Sequence, residues 1–87
     1  MAKYTWTEND DLKVLYISLY GYTTQYPKKI DIAKLIGVSE GSLSYRIGKF
    51  KAIQGSGKAT NYAKLSKKIY DKYHMEIQKS LQTLASL

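Results

Sequence analysis

The sequence predicts an all-α domain of about four helices, ending in a long C-terminal one, and three observations carry that prediction. Apolar residues recur at steps of three and four through most of the chain. Glycine and proline fall between those periodic runs. Thr7 and Ser39, side chains suited to capping a helix, stand just ahead of two of the runs. With 87 residues and no cysteine, the chain makes one small domain with a single core and neither disulfides nor thiolate metal sites.

The first helix is expected from about Glu8, where Thr7 caps and Glu8, Asp10 and Asp11 suit the positive end of the helix dipole. Leu12, Leu15, Tyr16 and Leu19 form its apolar stripe, Trp6 folds back to cover it, and Gly21 ends it. The link YTTQYP leads into a second helix at 28–36, with Pro27 in or just before its first turn. Its core face is Ile32, Ala33, Leu35 and Ile36, and Gly37 occupies the position that a left-handed stop requires.

Ser39 caps the third helix, expected over 40–51, with Leu43, Ile47 and Phe50 on one face. Residues 54–61, QGSGKATN, are the linker-like segment, for which a short wing and a simple hinge both stay open. From about 62 to 86, Leu65, Ile69, Tyr73, Ile77, Leu81 and Leu84 follow at steps of four and three, a helix of roughly 33 Å at 1.5 Å per residue.

The chain carries a formal charge of +7, and residues 28–72 hold eleven cations against three acids, so the whole excess lies there. A polyanion is the natural partner of such a surface, because each neutralised phosphate releases condensed counterions. The N-terminus, MAKYTWTENDD, has no signal-peptide core, and no run approaches the roughly 18 apolar residues of a membrane span. A cytoplasmic, nucleoid-associated protein is the expectation.

Within 29–49 the spacing is specific: Ala33 at a close-contact site, Gly37 four residues later, and Ile32, Ile36, Val38, Leu43 and Ile47 as locking residues. This segment resembles helix-turn-helix DNA-binding domains, departing from many of them in carrying Arg46 where an aliphatic residue is common. More loosely, IAKLIGVSEGSLSYRIGKF, a glycine-containing loop and NYAKLSKKIYDKY are similar to the module that precedes HNH-type nuclease domains in some bacterial restriction-like proteins. That resemblance implies DNA binding alone and carries no catalysis.

The helix-turn-helix resemblance implies that the third helix lies in the major groove. Its base-reading candidates are then Glu40, Gly41, Ser42, Ser44, Tyr45, Arg46 and Lys49. Arg46, the sole arginine, is suited to a bidentate guanine contact or to a phosphate. Candidate phosphate contacts are Lys28, Lys29, Lys34, Ser39, Lys51, Ser56, Lys58, Lys64, Lys67 and Lys68. With thirteen lysines and one arginine, a single copy attracts phosphate strongly and discriminates sequence modestly. A homodimer through the apolar stripe of the last helix restores discrimination on a palindrome, and the alternative is that this tail packs back on the first helix.

GSGK fails the phosphate-loop pattern, since Ala52 stands where its first glycine belongs and Ala59 follows the lysine. His74 reads as a packing or surface residue. Of the nine tyrosines, Tyr16, Tyr20 and Tyr73 read as core rim, while Tyr4, Tyr22, Tyr26 and Tyr62 lie in links, where they cap the core or, given a common exposed face, stack on bases. With no paired carboxylates, Ser/His/Asp set or metal-ligand spacing, an enzyme, a metal and a cofactor are not expected. The sequence thus points to a small transcriptional regulator or repressor of bacterial, plasmid or phage origin, with activation and repression both open. The competing reading is a protein-interaction adaptor with its basic face on an acidic protein.

Overall fold

A computed structural model describes residues 5–55 and 64–87. Five helices and no strand form among them: α1 (Glu8–Tyr20), α2 (Lys29–Ile36), α3 (Glu40–Gly55), α4 (Lys64–Tyr73) and α5 (Gln78–Leu84). The fold is all-α, as the apolar periodicity predicts, with five helices in place of about four.

α1 is the central element, touching α3, α4 and α5. It starts in a capping box: the Asp10 N–H donates to Thr7 Oγ1 and the Thr7 N–H donates to Asp10 Oδ2, each at 3.1 Å. Leu12, Val14, Leu15, Tyr16 and Ile17 are all buried, more than one stripe, because helices cover α1 on several sides. Leu19 and Trp6 pack at the edge of the core. Gly21, at φ 89°, donates to the Ile17 carbonyl and ends the helix.

α2 begins after Pro27, with the Lys28 N–H donating to Asp31 Oδ2 at 3.1 Å. Ile32, Ala33 and Ile36 are buried, whereas Leu35, expected on the core face, is 40% exposed. Gly37 adopts the left-handed conformation (φ 98°, ψ 34°), and the Gly37 and Val38 N–H groups both donate to the Ala33 carbonyl. Ser39 then caps α3 by accepting from the Ser42 N–H at 3.1 Å. α3 runs one turn past the expected end at Lys51. Ala52, Ile53 and Gln54 continue it with partly buried side chains, and Gln54 Nε2 donates to Ser18 Oγ of α1 at 2.9 Å.

The single C-terminal helix expected over 62–86 is instead two helices with a corner at 74–77. No glycine or proline marks the corner. At the end of α4 the His74 N–H and a His74 ring nitrogen both bond to the Tyr70 carbonyl, and the two rings stack at 4.4 Å. The turn lets α5 fold back on α1, where Asn9 Nδ2 donates to the Leu84 carbonyl and Gln78 Nε2 to the Tyr16 hydroxyl. Leu81 and Ala85 lose all exposure in this core, whereas Ile77 and Leu84 of the same stripe stay exposed. Burying a side chain the size of Leu81 contributes about 2 kcal/mol, which a straight helix leaving the domain would forfeit. Among the described residues no helix is long and apolar enough to cross a membrane.

Candidate nucleic-acid interface

α3 has two faces with separate employment. Leu43, Ile47 and Phe50 enter the core, while Glu40, Gly41, Ser42 and Tyr45 are exposed, Tyr45 by 67%. The Lys49 ammonium lies over the Tyr45 ring, 4.6 Å from its centre, so the two side chains make one cationic, flat-faced unit. Ser39 and Ser42 are joined at the cap, with Ser39 Oγ donating to Ser42 Oγ at 3.1 Å. Lys28, Lys34 and Lys51 are exposed on α3 and on or just ahead of α2.

Arg46 is employed otherwise than expected. Its Nε and Nη2 donate to Asp11 Oδ1 and Oδ2 at 2.8 and 2.7 Å, a two-pronged ion pair between α3 and α1. The Asp11 side chain has no exposure and that of Arg46 only 13%, and the guanidinium also lies over Trp6 at 4.8 Å. A guanidinium with two prongs on a buried carboxylate is not presented to a base edge or a phosphate, which removes the one bidentate reader from the expected set. Burial pushes the Asp11 carboxyl above its usual range, and the hydrogen bonds and charge of Arg46 oppose that rise without reversing it.

Beside α3 lies an open depression of about 330 Å³, lined by Tyr22, Lys29, Ser44, Ile47, Gly48 and Lys51. Lys29 Nζ donates to Ser44 Oγ at 2.7 Å and ties α2 to α3. Burial and the nearby Glu40 carboxylate both raise the Tyr22 hydroxyl above its ordinary value, so it keeps its proton. Gly48 is exposed in the middle of α3, and among the described residues no atom outside the helix lies within 4 Å of where its Cβ would stand. Glycine at such a site costs about 1 kcal/mol relative to alanine.

Of the expected phosphate contacts, Ser56 and Lys58 lie outside the described residues, as does most of the 54–61 segment for which a wing was open. Lys64, Lys67 and Lys68 belong to α4, and Lys67 Nζ bonds to Asp71 Oδ1 at 2.6 Å. The sequence does not place Tyr22 and Gly48 at this depression, since their only signals are an aromatic in the link and a glycine interrupting an otherwise helical run. No protein-family model, curated protein or solved structure matches this chain.

Proposed function

We propose that this chain binds double-stranded DNA as a helix-turn-helix protein, with α2 across the backbone and the outward face of α3 in the major groove. Its role is that of a small regulator, of bacterial, plasmid or phage origin, that represses by occupying an operator. The observation that carries this reading is the division of α3. Leu43, Ile47 and Phe50 supply its core contacts, which leaves Ser42 and Tyr45 exposed with the Lys49 ammonium over the Tyr45 ring, and exposed lysines stand on α3 and on or just ahead of α2. The left-handed stop at Gly37, four residues after a fully buried Ala33, supports the same reading.

With Arg46 held by Asp11 and Ser44 bonded to Lys29, base reading falls to Ser42, Tyr45 and Lys49, and one copy discriminates weakly. A second copy on a palindrome supplies the rest. Met75, Ile77 and Leu84 are exposed large apolar side chains at the α4–α5 corner and on α5. Residues 73–87 balance Lys79 against Glu76, so two +7 chains meet there without the repulsion of their 28–72 surfaces.

The test is replacement of both Ser42 and Tyr45 by alanine, followed by binding to a selected duplex and a scrambled one, with helicity checked by circular dichroism. Loss of the preference at intact helicity is expected. A variant that keeps the full preference would overturn the reading.

A further inference from the structure

We propose that the depression beside α3 seats one backbone phosphodiester of the bound duplex, between Lys29 and Lys51 and over Gly48. This inference rests on the DNA-binding reading and adds a site to it. The depression draws on three segments: Tyr22 from the α1–α2 link, Lys29 from α2, and Ser44, Gly48 and Lys51 from α3. Ser44 and Lys51 stand four residues before and three after Gly48, so all three lie on one side of the helix.

Gly48 carries the argument. Its backbone is not in the left-handed region, where among the described residues only Gly21, Gly37 and Ser86 have positive φ. Nothing among the described residues crowds the place of its missing side chain. Neither backbone geometry nor packing therefore calls for glycine there, and the bare backbone is open to close approach from outside.

The donors around it match a tetrahedral anion. One of the three N–H bonds of Lys29 goes to Ser44, which leaves the ammonium fixed in place with donors to spare. Lys51 is exposed at the rim, and the Tyr22 and Ser44 hydroxyls each have a proton to give. The Glu40 carboxylate acts on Tyr22 from the start of α3, and against it stand the two ammonium groups.

The experiment compares wild type, Gly48→Gln, Lys51→Gln and the double variant in duplex binding over a salt series, with urea unfolding of each. Gly48→Gln, which keeps the charge and favours the helix, is expected to unfold at the same or higher urea and to bind duplex at least tenfold more weakly. Its log–log salt slope should drop by about one. The double variant should bind no more weakly than the weaker single one, since both remove the same contact.

Wild-type binding and slope in Gly48→Gln, alongside weakened binding by Tyr45→Ala, would overturn the seat and leave the DNA reading standing. Absence of duplex binding by the wild-type protein would overturn both. Inorganic phosphate protecting the wild type but not Gly48→Gln from thermal unfolding, with duplex binding equal in the two, would assign the seat to free phosphate and overturn the backbone contact.

Discussion

Replacing Arg46 with methionine removes the ion pair that joins α3 to α1. Methionine keeps an unbranched side chain and removes both bonds to Asp11, whose side chain is fully buried, together with the guanidinium over Trp6. Taking one partner from a buried pair costs about 3–5 kcal/mol. Asp11 has an escape, which is to fold protonated. At pH 7, holding a proton that the unfolded chain releases near 3.8 costs about 4 kcal/mol, so the loss is capped there.

The sign with pH follows from the direction of the Asp11 shift. A carboxyl raised in the folded state contributes a stability that is complete below 3.8 and lost as pH rises through the raised value. Without Arg46 the value rises further, so the gap between variant and wild type widens with pH. Urea unfolding followed by circular dichroism should show a deficit of about 2–4 kcal/mol at pH 7, shrinking toward pH 4. Adding Asp11→Asn to Arg46→Met should restore most of the loss at pH 7. An equal deficit at both pH values, or no rescue, would refute the argument.

Leu81→Ala should destabilise the domain by about 2–5 kcal/mol in the same assay, because Leu81 belongs to the core of a single copy; a loss within error would place α5 off α1. Met75→Ser with Ile77→Ser should leave helicity intact and lower self-association in sedimentation, and unchanged association would remove that surface as the contact between copies. Truncation after Lys79 does not separate these effects, since it also deletes Leu81 and Ala85 from the core.

The first half of the fold is readable from local chemistry. Thr7, Gly21, Gly37 and Ser39 start and stop helices through bonds to their immediate neighbours, so their identities suffice. The corner at 74–77 is not readable in the same way. Apolar residues continue at steps of three and four straight through it, although Leu65, Ile69 and Tyr73 of α4 and Leu81 of α5 pack at the core while Ile77 between them is exposed. The hydrogen bonds that hold α5 back come from Asn9 and Tyr16, more than sixty residues earlier.

Arg46 shows the same limit at the candidate site. Its helical phase lies near the core, yet its partner Asp11 is 35 residues away and reads locally as an acid that favours a helix N-terminus. Periodicity alone places Leu35 inside, but a helix of eight residues buries a narrow face, and Ile32, Ala33 and Ile36 fill it. The outward residues of α3, by contrast, follow directly from the positions of Leu43, Ile47 and Phe50.

Fluorescence anisotropy of the protein against duplex DNA, single-stranded DNA and RNA over a salt series tests the central claim most directly. Duplex-preferring binding is expected, weakening with salt at about 0.9 per phosphate contact in the log–log slope. No duplex binding even at low salt, or equal affinity for all three nucleic acids, would contradict a groove-docked α3.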